Sequence, residues 1–357
     1  MTTLKIRPLV GKAYPKLSVV AKPDQSLTNV FADIAELVKL NNPTGQIDDD
    51  TLVCDLQLFC DAPDFDRDRD LRLWKNSRGN LIGFGQLLIT QQTHNLESNL
   101  YFGVHPRWRG NGLDAEILQW SEQRMREVVK ERVLPAQLRL SIRDNQLLHR
   151  MLLKQQSYTT ERRFLTMACP LDQSFSSPSL PDGFTLRSLA EEQDLKAWVD
   201  LFNESFIDHW DHHDITVDTL RRWLKNPGYQ PELSSVAVAP DGTFAAFCMG
   251  YINQGENSRN PYNNGWIKLL GTRRGFRKLG LGRAMLLTGI KQLKARGVDW
   301  VQLGVDADSP TSATRLYQSI GFQTVHTWLS YAKEIQPPCL RSRATLASMP
   351  ITIGDIQ

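Results

Sequence analysis

Arg277-Lys278-Leu279-Gly280-Leu281-Gly282 sets two cations and two glycines ahead of an amphipathic run, the make-up of a loop that could hold a phosphate anion. Exposed N–H groups at a helix start and the helix dipole both favour negative charge there. Glycine at 280 and 282 lets the backbone approach such a ligand without a Cβ in the way. A related segment, Arg109-Gly110-Asn111-Gly112-Leu113-Asp114, lies 168 positions earlier (109 against 277). The same shift matches Gly103 with Gly271 and Trp108 with Phe276. Where the later copy has Gly282 the earlier has Asp114, a carboxylate that would cap the orphan N–H groups itself and repel a diphosphate. Chemistry is therefore expected in the second copy. A dinucleotide fingerprint is excluded by the missing third small residue and by the position of the segment deep in its half. No Gly-Lys-Ser/Thr follows either, so a Walker-type nucleotide loop is excluded too.

The elements that must carry these residues repeat as well. Each half opens on a short alternating strand, Leu4–Arg7 and Phe184–Arg187, and continues with helical pattern and a hairpin. In the first half the hairpin strands are Leu71–Trp74 and Leu81–Leu88. In the second they are Ser235–Ala239 and Phe244–Ile252, around the turn Pro240-Asp241-Gly242. A further strand follows (Leu100–Val104; Trp266–Thr272), then the glycine segment and a long helix. Leu281, Ala284, Met285, Ile290 and Leu293 share one face of the second such helix, and Gly297 stands past its end as a C-cap. A strand over Trp300–Val305, a short helix and a last strand near Val325–Tyr331 complete the order β-α-β-β-β-α-β-α-β. The Pro- and Ser-rich stretch 170–183 reads as a linker. The expected domains are 1–169 and 184–335, with a tail over 336–357.

This order, with Arg277-x-x-Gly280-x-Gly282 at a strand-to-helix junction and Leu316-Tyr317-Gln318-Ser319-Ile320-Gly321-Phe322 some 35 residues later, resembles the GNAT acyltransferase superfamily. The tandem layout is similar to the double-GNAT proteins of the mycothiol synthase kind. The resemblance implies an α/β (α+β) chain of two tandem GNAT-like domains, each a mixed, mostly antiparallel sheet with helices on both faces. It implies acetyl-CoA as the acyl-donor substrate, no metal, and a small-molecule amine as acceptor. The donor's pyrophosphate is then expected on Arg277, Lys278, Leu279, Gly280, Leu281 and Gly282. A backbone N–H in Leu270, Gly271 or Thr272 is expected to meet the carbonyl oxygen. Tyr317 is the expected general acid, because a phenol with pKa near ~10 can protonate a thiolate of pKa near ~8.5 at modest cost. Leu153 stands at the matching place in the first copy, so that half is expected to be non-catalytic. Pro310 occupies the position where the family often has Asn. The base has no assignment on the strand before the loop; Glu256 and Asp211, the latter in the run Asp208-His209-Trp210-Asp211-His212-His213-Asp214, are the candidates.

Bulk properties agree with a soluble two-domain protein of 357 residues, 41% hydrophobic and 23% charged. A net charge of +3 is too small to argue for a nucleic-acid partner or a membrane surface, and neither is expected. No run approaches ~18 apolar residues, the N-terminus has no signal-peptide core, and five cysteines form no CxxC pair. A cytoplasmic monomer or homodimer is expected. Two other functions fit a tandem fold of this kind: a non-catalytic acyl-CoA sensor, and an aminoacyl or peptidyl transferase, which the weak charge disfavours.

Overall fold

The computed structural model describes residues 18–19, 27–41, 56, 60, 65–188, 192–210, 212–225, 229–258, 261–309 and 313–337. The chain divides into two compact units, Met1–Arg139 with Lys333–Gln357, and Leu140–Ala332. The strand expected at Leu4–Arg7 and Pro310 lie outside the described residues.

The first unit runs β1 (Ser18–Val19), α1 (Leu27–Asn41), α2 (Arg67–Asp70), β2 (Leu71–Lys75), β3 (Leu81–Gln91), β4 (Leu96–Val104), α3 (Leu113–Arg132) and into β5 (Ala136–Arg143). Its strands lie in the order β1-β2-β3-β4-β5, antiparallel except for β4–β5. Alternation along β3 gives it two buried faces. Phe84 joins Val30, Phe31 and Ile34 of α1 in one core. Gly83 and Gly85 instead admit Leu113, Ile117 and Trp120 of α3.

The second unit contains α4 (Leu147–Gln155), β6 (Thr159–Pro170), β7 (Thr185–Ser188), α5 (Leu195–Phe206), α6 (Val217–Leu224), β8 (Ser234–Val238), β9 (Phe244–Tyr251), α7 (Gln254–Asn257), β10 (Asn264–Thr272), α8 (Leu281–Ala295), β11 (Trp300–Asp306), α9 (Ala313–Gln318) and β12 (Gln323–Ile335) as far as Ala332. The strand order is β12-β6-β11-β10-β9-β8-β7, with β10–β11 the parallel pair. β9 shows why helices cover both faces. Phe247 and Met249 pack with Trp198 and Phe202 of α5, while Ala246 and Cys248 pack with α8. The fold is thus α/β, with mixed, mostly antiparallel sheet and helices on either side. β6, which precedes the Pro/Ser stretch, is antiparallel to both β11 and β12 within this unit. The stretch itself is laid onto the same core through Leu171, Phe175 and Leu180.

α8 forms where its signals lie. Gly280 supplies the left-handed φ of 86° at the N-cap, and Leu281, Ala284, Met285, Ile290 and Leu293 are buried. Gly297, at φ 74°, ends it, with Gly297 N–H donating to Lys294 O (3.1 Å) and Val298 N–H to Leu293 O (3.3 Å), a Schellman closure. β4 and β12 are longer than the sequence pattern suggests, because their extra residues alternate only weakly in polarity yet still find ladder partners.

The feature that makes room for a ligand is a short ladder. β10 and β11 pair from Asn264–Trp300 to Ile267–Leu303 and then part. A bulge interrupts β10 between Ile267 and Leu269; beyond it β10 pairs only with β9, and β11 continues only with β6. In the first unit the β4–β5 ladder likewise stops at Asn99–Arg139.

Gly289 of α8 should not tolerate a methyl group. An added Cβ would stand 2.6 Å from Cys248 Sγ and 2.7 Å from Ile267 Cδ1. Alanine gains about 0.5–1 kcal/mol in a helix, but overpacking a core costs about 1–3 kcal/mol. Gly289→Ala is therefore expected to lower the urea midpoint; a rise would show that the helix–sheet contact is slack.

Candidate active site

The two glycine segments have the same backbone. Gly110 and Gly112 of the first copy have φ of 69° and 94°; Lys278 and Gly280 of the second have 66° and 86°. In both, the arginine that opens the segment donates from Nε to the carbonyl ending the preceding strand: Arg109 to Val104 O (3.3 Å), Arg277 to Thr272 O (3.4 Å). Lys278 thus holds a left-handed conformation that its side chain disfavours, a shape set by the anchors around it.

The copies differ in what meets the amides. In the first unit Gly110 N–H donates to Asp114 Oδ2 at 3.1 Å, and Asp114 is buried. The carboxylate fills the anion's place. In the second unit the first bond into α8 runs from Ala284 N–H to Gly280 O (3.1 Å), leaving the amides before it as the orphan donors of a helix start. A Cβ at Gly282 would have ordinary contacts, 3.6 Å from both Leu316 Cδ2 and Thr272 Oγ1. Charge therefore matters more than space at 282.

These amides open on a cleft of about 1170 Å³ within the second unit. Its walls are Ile267–Thr272 of β10 and Leu303–Asp306 of β11, the strands that have parted; Arg277, Lys278, Leu281 and Gly282 close one end, and Tyr317 lines it from α9. Leu270, Gly271 and Thr272 border it along the stretch of β10 that pairs with β9 alone. The sequence-expected donor residues other than Leu279 and Gly280 thus share one cavity wall, and those two belong to the same turn.

Tyr317 is buried, and burial, with the Cys248 thiol nearby, pushes its phenol up to about 12. It stays protonated throughout the neutral range, as a proton donor must. Cys248 lies beneath it in the core, fully buried, its thiol likewise pushed up to about 12 by desolvation.

The Arg277 guanidinium is engaged elsewhere than the loop. Beyond Thr272 O it donates to Ser205 O (2.9 Å) and to Asp208 Oδ2 (2.6 Å). Arg274 also pairs with Asp208, and the two arginines, Arg277 foremost, hold the Asp208 carboxyl below the usual carboxylate range. That makes Asp208 a poor proton acceptor and ties the segment after α5 to the loop. Of the expected bases, Asp211 lies outside the described residues, and Glu256 falls in α7 with its side chain outside them. His209, His212 and His213, members of the run read from the sequence, line the cleft; Asp306 and Lys268 line it too and were not singled out from the sequence. Asp306 is bound by Arg162 of β6 through Nε and Nη2, at 2.8 to 3.1 Å. Of Asp306 and Lys268, the lysine carried a sequence signal, a cation inside an otherwise apolar strand.

The candidate site is thus a cleft between parted parallel strands, closed by helix-start amides and lined by a protonated tyrosine. The Acetyltransferase (GNAT) family profile matches residues 195–322. Mycothiol acetyltransferase of Thermobispora bispora is 31% identical over 223 residues, 61% of this chain and 70% of that protein. A GCN5-related N-acetyltransferase from Sphaerobacter thermophilus is similar in structure, with TM-score 0.66 and 27% identity over 85% of this chain and 92% of that one. A tandem GNAT protein from the clavulanic acid biosynthesis pathway shares the fold, at TM-score 0.65 and 14% identity over 90% of this chain and 99% of its own. The chain belongs to the GNAT acetyltransferase family and is an acyltransferase. No helix among the described residues is long and apolar enough to cross a membrane.

Two outcomes follow from this geometry. Gly282→Asp brings the first copy's carboxylate into the cradle; calorimetry should find acetyl-CoA bound roughly 10- to 100-fold more weakly, the scale of like charges near a protein surface. Undiminished affinity would place the phosphates elsewhere. The phenol of Tyr317 is raised from 10.0 in the folded chain, so its neutral form stabilises the fold fully below that pH and the contribution is lost as pH rises towards 12. Between about pH 9 and 11 the urea midpoint should fall more steeply for the wild type than for Tyr317→Phe.

Proposed function

We propose that the chain transfers the acetyl group of acetyl-CoA to a primary amine of a small molecule, by direct attack in a ternary complex within the second unit. The carrying observation is that one cleft joins open main-chain donors at the start of α8 to the protonated phenol of Tyr317. The relative's designation as a mycothiol acetyltransferase supports a small-molecule acceptor.

Acetyl-CoA supplies an activated acyl carbon and a thiolate leaving group. The amides from Lys278 to Arg283 receive its diphosphate, with the α8 dipole behind them. Lys278 adds a cation at the loop, while Arg277 acts by holding the loop against Thr272, Ser205 and Asp208. A main-chain N–H of Leu270, Gly271 or Thr272 donates to the carbonyl oxygen as it gains negative charge. As the C–N bond forms and the C–S bond breaks, Tyr317 gives its proton to sulfur. A thiolate emerging beside the buried phenol is itself made more basic by desolvation, which narrows its gap to the raised phenol. Glu256 and Asp211 are the proposed acceptors of the ammonium proton. The first copy, with Asp114 on its own loop and Leu153 in the tyrosine's place, serves no catalytic step; the repeats 1–169 and 184–335 remain the proposed units of duplication.

An acceptor screen followed by thiol release, run beside Tyr317→Phe, tests the reading. The variant should keep its acetyl-CoA affinity and lose roughly 10²- to 10⁴-fold in kcat, the usual range for a missing general acid. Unchanged kcat would remove Tyr317 from the chemistry. Binding of acetyl-CoA without transfer to any amine would leave the sensor reading in its place.

A further inference from the structure

Charge in the cleft is balanced unevenly. Each carboxylate that lines it among the described residues already holds an arginine: Asp208 has Arg277 and Arg274, and Asp306 has Arg162. A second ammonium on the acceptor would find no free carboxylate there. Lys268 is the opposite case. It stands at the bulge of β10, is exposed, borders the cleft, and has no acidic partner among the described residues. Its Nζ rests instead over two aromatic rings, 5.4 Å from the centroid of Tyr251 and 5.8 Å from that of Trp266. Those two residues are register partners across β9 and β10. Ring faces can hold an ammonium in place, but they leave its three N–H donors without an acceptor.

The platform lies on the side of the sheet away from the donor helix. A Cβ at Gly265 would meet Leu293 of α8, and Ile267 belongs to the α8 core, so Trp266 between them faces the other way. Leu269, just past the bulge, packs in the cluster of α5. The Trp266 indole N–H is also buried and lacks an acceptor among the described residues. An exposed cation without an acidic partner among the described residues, resting over two rings at the point where the strands part, suits an incoming oxyanion.

We propose that the acceptor is an amine that also carries an anionic oxygen group, a carboxylate or a phosphate ester, and that Lys268 receives that group. The inference rests on the transfer to an amine proposed above. Lys268 is here a specificity-determining residue. It contacts the same group before and during the reaction, so its effect falls on KM more than on kcat.

Matched acceptors test it with acetyl-CoA held constant: glycine against glycinamide, O-phosphoethanolamine against ethanolamine, and putrescine as the dication. The wild type is expected to favour the anionic member of at least one pair by tenfold or more in kcat/KM, and the pair that responds tells carboxylate from phosphate. In Lys268→Met the ratio within that pair should fall to near one, mainly through KM. In Lys268→Glu putrescine should become the preferred amine. Equal or better use of the neutral amines or putrescine by the wild type overturns the inference while leaving amine acetylation standing. A uniform loss on every acceptor in Lys268→Met, with the ratio unchanged, overturns it as well, because a purely structural lysine would behave that way. Transfer to no amine at all defeats the proposed function itself and this inference with it.

Discussion

Two parallel strands that stop pairing after Ile267 and Leu303 set the terms for everything else in the second unit. A buried strand edge without a neighbour leaves main-chain donors and acceptors to be met by something other than the sheet. Here a bulge interrupts β10 at that point, and β9 and β6 keep each separated strand paired on its other side. The result is a slot with rigid walls and free peptide groups. The loop at its end obeys the same logic. Amides at a helix start need an acceptor, and in the second copy the proposed acceptor is the donor's diphosphate.

Comparison of the copies separates shape from chemistry. Both place a left-handed residue two positions before another, both tie an arginine to the end of the preceding strand, and both end their parallel ladder early. One side chain changes the outcome. Asp114 satisfies the loop of the first copy internally, whereas Gly282 puts no carboxylate at the matching place in the second. The electrostatic argument holds because the two backbones match so closely.

Much of this was legible in the chain. The turn at Pro240-Asp241-Gly242, the periodic face of α8 and its Gly297 stop all depend on residues within a few positions of one another, and each formed where the pattern put it. Tyr317, nominated from its surroundings, is buried and lines the cleft. Less legible was the fate of the charges. Arg277 and Asp208 each read as functional groups facing a ligand; in the fold they neutralise one another. Lys268 drew no attention, since a lone lysine in a strand usually points to water. The long Pro- and Ser-rich stretch reads as a spacer, yet Phe175 and Leu180 lie against the core.

The division has one physical cause. Local spacing determines dihedral preference, helix ends and the dipole, so the amino-acid sequence was enough to mark a glycine turn at a helix start in both copies, to show that one of them carries a carboxylate there, and to nominate Tyr317 as the proposed acid. Which charges cancel depends on residues far apart in the chain, such as Arg162 with Asp306 or Asp208 with Arg277. Their encounter is decided by strand order and by the direction each strand leaves its neighbour. Only the tertiary structure could show that the cleft's acids are already paired and that its one cation at the bulge, among the described residues, is not.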